Sequence, residues 1–502
     1  MKIQFVITGY LPDLFGGAEV YTQNLAQELI ARGHDVSVAA LDMKQRSGAD
    51  AVDTYQGVKV HRLSHTFDFR PPPFYALQFY SSLHNLAREF LAKEKPDVIH
   101  VTNAWFMMPF AFAALELGIP VVGTHVDFIW TCREGHLLRK TDNASCQGPP
   151  AAVCTECYWD LTDEQWRMVE RLRRKMYSLL ARGYAFHHCP CPLLGRQIES
   201  LGASPKSVEV FPYGVPDGLV QERRPKTASD VLRLAFVGRW NRIKGIDVLL
   251  DAMEQLDPTL PVELHLYGEQ EVWNEDIYGQ EIAAQAERLP NVVVRGRFSP
   301  EQVGTVHAEI DAMVVPSIWP ENSPVSILEA LTLGTPVICA DGEGMTNLIT
   351  HGQNGLVFQS RNVADLTAKI IELATSPELR ERVTAGAHNL RTISQDAERF
   401  EAVYREASAQ VDEVWRLEAR DLVETLLFTE EVYLESTLVR RVQRVFQQLA
   451  DRGLYRIALF GAGRHTLKLL GSVDIVGVDI VAILDESPDA IGSRILRVPV
   501  RP

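Results

Sequence analysis

The chain has 502 residues, 46% hydrophobic and 23% charged, with a net charge of −15. This globular composition excludes a disordered chain, a collagen and a coiled-coil rod, and at about 100–200 residues per domain it gives two to four domains. The acidic balance argues against nucleic acid as the main partner, and the excess acid lies almost wholly after a roughly neutral first 200 residues.

The opening run, Met1 to Gly9, is too short an apolar segment for a secretory signal. The seven cysteines therefore read as reduced thiols of a cytoplasmic protein. Trp105 to Val122 is apolar but broken by Pro109, Glu116 and Pro120, which fits a buried helix and strand better than a membrane span.

In chain order, residues 2–8 predict a buried parallel strand, and Gly16-Gly17 break the chain after it. Ala18, Tyr21, Leu25 and Leu29 then recur at helical spacing, with Gly33 where the helix should end. Strands are expected at Asp35–Leu41, Val98–Val101 and Val121–Thr124. The Pro-rich segment Phe211–Pro216 reads as an interdomain hinge. A second series of strands follows at 234–237, 262–267, 292–294, 312–315 and 336–339. Repeated βα units imply parallel sheets covered on both faces.

The fold class is therefore α/β, two Rossmann-like doubly wound domains facing a cleft. The boundaries read as 1–215, with a Cys-rich insertion near 125–160, and 216–395. Residues 396–450 read as a helical crossover and linker. Residues 451–502 read as a partial, possibly truncated Rossmann-like unit, because two or three strands cannot bury a sheet on both faces. Its turn Gly461-Ala462-Gly463, with Asp485 ending the next strand, has dinucleotide-like spacing, but a Gly-x-Gly alone is a weak signal and a tight strand–helix turn is the favoured reading.

The most informative segment is Glu321-Asn322-Ser323-Pro324-Val325-Ser326-Ile327-Leu328-Glu329. Ser323 suits a helix N-cap and Pro324 the first helical turn. A helix that starts after a parallel strand offers N–H groups to an anion such as pyrophosphate. Two carboxylates flanking such a site suit hydroxyl groups, one set on each side of a diphosphate, which describes a nucleotide sugar. Arg239 and Lys244, just after the strand at 234–237, are placed to clamp that diphosphate. Gly16 and Gly17 follow the first strand, where backbone must approach a ligand closely.

Together these segments resemble glycosyltransferase family 4, the retaining, nucleotide-sugar-dependent enzymes of the GT-B fold. Gly16-Gly17-Ala18-Glu19, Gly238-Arg239 with Lys244-Gly245, Glu321 through Glu329, Gly334-Thr335-Pro336-Val337 and His351–Leu356 match its motifs in order, over roughly residues 1–410. The resemblance implies that Glu321 holds the transferred hexose and Glu329 the ribose. It implies that Arg239 and Lys244 neutralise the diphosphate at the start of the Ser323-Pro324-Val325 helix, that Arg295 lies near the base, and that His125 lies near sugar and acceptor. It also implies a UDP-, GDP- or ADP-sugar donor, an N-terminal domain for a glycan, lipid or small-molecule acceptor, and no catalytic metal; the chain has no Asp-x-Asp pair to hold one. Asn322-Ser323 stands where Gly-Phe is common, and Asn347 where Glu is usual, so the motif does not fix the donor sugar.

Cys132, Cys146, Cys154 and Cys157 have the spacing of a structural zinc site, with free thiols or a redox pair as the alternatives. The basic stretch 165–183 (Arg167, Arg171, Arg173, Arg174, Lys175, Arg182) reads as a solvated helix face that could touch anionic lipid at the inner face of the membrane. The sequence does not give the oligomeric state. Two other functions stay open at this level. One is a nucleotide-sugar epimerase of similar fold, which would need an acid/base carboxylate set in the first domain. The other is a binding protein without turnover.

Overall fold

The computed structural model describes residues 1–42, 50–65, 77, 79–139, 142–146, 157, 162–269, 277–386, 390–408 and 414–427, and the strands 456–460, 479–484, 494–495 and 498–501. It falls into two compact units, Met1–Arg420 and Asp421–Pro502.

The first unit contains two sheets. One is built from β1 (Lys2–Ile7), β2 (Asp35–Leu41), β3 (Ala51–Tyr55), β4 (Val58–Leu63), β5 (Val98–Val101), β6 (Val121–Thr124), β7 (Phe186–Cys189) and β8 (Val208–Val210), in the order β3-β4-β2-β1-β5-β6-β7-β8. All its pairings are parallel except β3 with β4. The other is built from β9 (Leu232–Val237), β10 (Val262–Tyr267), β11 (Val292–Gly296), β12 (Ala312–Val315), β13 (Val337–Ala340) and β14 (Gly355–Phe358). Its order is β11-β10-β9-β12-β13-β14, all parallel. Two doubly wound sheets are what the alternating pattern predicts. The central strands are buried along nearly their whole length, because helices cover both faces.

Five of the covering helices bear on the cleft and the hinge: α1 (Gly17–Ala31), α2 (Asp163–Gly183), α3 (Val325–Thr332), α4 (Glu343–Thr346) and α5 (Ile393–Ser408). Tyr21, Leu25 and Leu29 of α1 are buried against β1 and β2, as their spacing requires. Gly33 follows the C-cap with φ 90°, its N–H on the Ile30 carbonyl.

The chain passes between the two sheets twice. The expected hinge near Val215 is one passage. The segment before α5 is the other, and the two pair with each other: Val215 N–H donates to Arg391 O (2.9 Å) and Ile393 N–H to Val215 O (2.8 Å). α5 then packs into the core of the first sheet through Ile393, Ala397, Phe400, Val403 and Tyr404. A fully buried carboxylate, Asp396, holds the junction. It accepts from Tyr21 Oη (2.8 Å) and Gly214 N–H (2.7 Å) and pairs with Arg391, whose guanidinium lies 4.3 Å from the Phe211 ring centre.

α2 carries the basic residues noted in the sequence, with one correction. Arg173 points inward, donating to Ile129 O at 2.9 Å, so it is no part of a solvated face. No described helix is long and apolar enough to cross a membrane.

The second unit contains a four-stranded sheet of β15 (Arg456–Phe460), β16 (Asp479–Leu484), β17 (Arg494–Ile495) and β18 (Val498–Arg501), in the order β15-β16-β18-β17. The two strands read from sequence pair in parallel, and the short β17–β18 hairpin adds two more. Gly461, Gly463 and Asp485 lie outside the described residues.

Candidate active site

The loop from β12 to α3 carries Glu321. Its carboxylate is 3% exposed and accepts two hydrogen bonds on one oxygen, from Ser317 Oγ and Lys244 Nζ, each at 2.7 Å. The Lys244 ammonium also lies 5.5 Å from the Trp319 ring centre. The expected diphosphate cation and the expected hexose carboxylate are thus partners of each other. Glu321 sits at φ 52°, a left-handed backbone that a non-glycine residue adopts only where its surroundings enforce it.

The helix cap departs from expectation. Pro324 is the N-cap of α3, and no side chain caps it. The Ser323 hydroxyl instead accepts from Tyr213 N–H of the hinge (3.3 Å), while Ser323 N–H donates to Asn322 Oδ1 (2.6 Å). Pro324 has no N–H, and the first carbonyl of the helix, Pro324 O, is taken by Ile327 and Leu328. Val325 and Ser326 therefore carry the first N–H groups with no upstream helical carbonyl to meet.

Gly17 lies against this helix start. A Cβ at Gly17 would come 3.1 Å from Val325 Cγ2, tighter than an ordinary contact, so a larger residue would press on the helix start. At Gly16 a Cβ would meet Glu19 Oε2 at 2.5 Å and Arg239 Nη2 at 3.8 Å. Three segments picked out separately in the sequence, at 16–17, 239 and 323–325, therefore converge on one point of the cleft. Arg239 is exposed there. Glu19 is buried beneath it, and burial pushes its carboxyl up to about 7, against the pull of Arg239.

Glu329 lies on the second turn of α3. Burial, with Glu222 as a like-charged neighbour, pushes its carboxyl up to about 7. Arg295 is exposed on β11, its guanidinium 3.4 Å from the ring of His265.

His125 follows β6 and is buried among aromatic rings, edge-on to Trp130 and stacked over His187. Its Nε2 lies 2.9 Å from His187 Nδ1, and His187 Nε2 lies 2.9 Å from the Ala181 carbonyl. Burial holds both rings neutral, His187 down to about 4 and His125 well below the usual range. A carbonyl only accepts, so the His187 proton is on Nε2 and its Nδ1 accepts from His125 Nε2–H. Nδ1 of His125 is then an acceptor nitrogen.

A second neutral chain runs behind it. Tyr404 Oη donates to His100 Nδ1 (2.7 Å), His100 Nε2–H to Thr124 Oγ1 (2.8 Å) and Thr124 Oγ1–H to His188 Nδ1 (3.2 Å). His188 Nε2–H closes the chain on Phe211 O (2.8 Å), at the hinge.

Cys132, Cys146 and Cys157 form no disulfide, and among the described residues no group of three His, Cys, Asp or Glu is placed to hold a metal. Burial pushes the Cys132 thiol up, away from the thiolate a metal would need. Cys154 lies outside the described residues.

Comparison with known proteins bears directly on this cleft. Residues 16–214 match the model of the glycosyl transferase 4-like domain, and residues 221–389 that of glycosyl transferases group 1. The chain belongs to glycosyltransferase family 4. As a member it is a nucleotide-sugar glycosyltransferase, with the two matched segments on the two sheets. The transferase is 26% identical over 423 residues to a D-inositol 3-phosphate glycosyltransferase of Thermomonospora curvata, covering 79% of this chain and 92% of that protein. It is 21% identical over 393 residues to an uncharacterised glycosyltransferase of Methanocaldococcus jannaschii, covering 77% and 92%. Among solved structures it resembles sucrose-phosphate synthase of Thermosynechococcus elongatus, with a TM-score of 0.57 at 16% identity over 86% of this chain and all of that one. It also resembles Anabaena HepE in complex with UDP and glucose, with a TM-score of 0.56 at 18% identity over 85% and 99%. The transferase therefore has the GT-B fold.

Sequence reasoning missed several residues of this site. Ser317 and Trp319 lie in an unpatterned loop. Glu19 is part of the glycine motif but took no role, and His187 gave no signal beyond a polar residue in an apolar run.

Proposed function

We propose that the protein is a retaining hexosyltransferase that takes its sugar from a UDP-, GDP- or ADP-linked donor without a catalytic metal. It passes the sugar to a glycan, lipid-linked or small-molecule acceptor in polysaccharide-type biosynthesis on the cytoplasmic side. The observation that carries this reading is the convergence of Gly16, Gly17, Arg239 and the start of α3 beside the Lys244–Glu321 pair. Open N–H groups at a helix start, with two cations nearby, suit a diphosphate and the charge that develops on it as it leaves. Glu321 is assigned to the hexose, Glu329 to the ribose, Arg295 to the base side, and the His125 Nδ1 acceptor to a sugar or acceptor hydroxyl. With no protein nucleophile assigned, retention follows a front-face path in which the leaving phosphate takes the acceptor proton.

The relatives support this. HepE was solved with UDP and with UDP-glucose, and the starch synthase IV catalytic domain of Arabidopsis thaliana with ADP. The name of the Thermomonospora relative supports a small polyol acceptor. Lipid contact through α2 is supported by its basic residues and opposed by the pairing of Arg174 with Glu170 and Arg182 with Glu418. The zinc reading of Cys132, Cys146, Cys154 and Cys157 rests on spacing alone, and no step uses it.

The test is a thermal-shift screen against UDP, GDP, ADP and their sugars. Ligand at 100 times its dissociation constant adds about 2.7 kcal/mol to stability. One base series should raise the unfolding midpoint. No shift with any of them at millimolar concentration would refute the reading.

A further inference from the structure

The cleft is bridged from one side. Residues 126–139 and 142–146 follow His125 on the first sheet, where Ile129 O accepts from Arg173 and Trp130 packs on His125, and they also reach the second. Phe128 meets Trp319 edge-on at 6.0 Å between ring centres. Leu138 is buried in the core of the second sheet, and Arg361 donates to Asn143 O. The innermost contact is Asn322, which donates its carboxamide N–H to Val126 O.

Asn322 is 7% exposed and uses both ends of its carboxamide, Nδ2 toward Val126 O and Oδ1 toward Ser323 N–H. Gly344 packs closely on the backbone of this loop: a Cβ there would lie 2.4 Å from Glu321 O and 2.7 Å from Asn322 O. Asn322 is the neighbour of Glu321, and Val126 is the neighbour of His125. One hydrogen bond thus joins the loop assigned to the hexose to the loop assigned to the acceptor side.

We infer that Asn322 is a positioning residue for transfer: with residues 126–139 and 142–146 as a strap, its bond to Val126 holds the Glu321 loop in register with the His125 loop. The inference rests on the donor and acceptor assignments proposed above. Nucleotide binding needs mainly the second sheet, whereas transfer needs both loops in register. Loss of the bond should therefore reach turnover and spare affinity.

The experiment uses the full chain, with UDP as binding probe and the donor found by the screen for turnover. Asn322→Asp keeps the acceptor for Ser323 N–H and sets an ionisable oxygen in place of the donor to Val126. Asn322→Gly removes both. Arg361→Ala breaks the strap at its other end, away from the donor loop. Both Asn322 variants should lower kcat by about fivefold to tenfold, the worth of one hydrogen bond, with UDP affinity held within threefold. Arg361→Ala should lower kcat in the same direction by less. Wild-type protein without ligand should have a radius of gyration by X-ray scattering that UDP does not reduce, and the Asn322 variants a larger one that UDP reduces. Unchanged kcat in Asn322→Asp, or a loss matched by UDP affinity, would overturn the inference. So would a wild-type radius that shrinks on adding UDP, a result that needs no variant. Wild-type protein that binds no nucleotide would instead refute the functional reading, while leaving the scattering comparison to decide the strap.

Discussion

The two sheets that face each other across the cleft hold their polar groups in opposite ways. On the first, His100, His125, His187, His188 and Thr124 are buried and neutral, and each proton of the two chains runs to an acceptor inside the protein. On the second, Lys244, Arg239 and Arg295 are ionic and reach toward solvent. Both sheets share one architecture, and on the proposed reading the contrast comes from what each strand end must meet. A side that takes up a diphosphate needs cations that can change partners, and Lys244 waits on Glu321. A side that orients a hydroxyl needs acceptors whose tautomers do not drift, and buried chains fix them.

The largest expected effect tests a charge that the first side buries at the hinge. Asp396→Ala would leave Arg391 and the hinge N–H of Gly214 without their acceptor. Breaking such a buried pair costs about 3–5 kcal/mol, read from urea unfolding. A loss below about 1 kcal/mol would mean that the hinge is held by packing alone.

Next in size is His187, which sets the tautomer of His125. His187→Leu should lower donor turnover by about 10- to 100-fold through misorientation, at unchanged UDP affinity. His187→Asn, whose Oδ1 can still accept from His125 Nε2–H, should recover part of it. Equal turnover in the two variants would remove the fixed-tautomer account.

A smaller effect reads the second side through pH. Glu329 has its carboxyl raised to about 7 in the ligand-free protein. Ribose hydroxyls donate to the carboxylate, so below pH 7 binding must first expel a proton, and affinity falls as pH falls. UDP affinity should drop by up to about tenfold from pH 8 to pH 6 beyond any drop in Glu329→Gln, which subtracts the titration of UDP itself. Parallel curves for the two proteins would place the ribose elsewhere.

The smallest expected effect is that of removing residues 421–502, a separate compact unit. UDP affinity should stay within a few-fold by calorimetry. A hundredfold loss from a folded remainder would make that unit part of the donor site.

What was legible in the sequence follows from the same physics. β1, β2, β9, β10, β12 and β13 are short apolar runs between breaks, so burial on both faces announces them, and the edge strand β11 is announced by its valine run alone. β7 was not read, because Phe186-His187-His188-Cys189 sets two polar residues in a buried strand, and only partners elsewhere in the fold make that affordable. The β3–β4 hairpin turns through Gln56 and Gly57, both at positive φ, a weaker turn signal than Asn-Gly. Ser323 failed as a cap because Tyr213, 110 positions away, claims its hydroxyl. The glycine, cation and Glu-x7-Glu motifs were legible because each is a local pattern within a short run of sequence. Ser317, Trp319 and the Asn322–Val126 bond were not, because only the fold brings them together.

The central claim is that Glu321 and Glu329 divide the donor between them, and one experiment addresses it directly: calorimetry with UDP beside donor-turnover kinetics for Glu321→Ala and Glu329→Ala. Glu329→Ala should weaken UDP by about 1–3 kcal/mol, the worth of a charged hydrogen-bond pair. Glu321→Ala should leave UDP affinity nearly unchanged and lower kcat by about 10²–10³, because its contact strengthens only as the glycosidic bond breaks. UDP affinity lost in Glu321→Ala with turnover of bound donor intact would contradict the division of roles, and full activity in both variants would contradict the site.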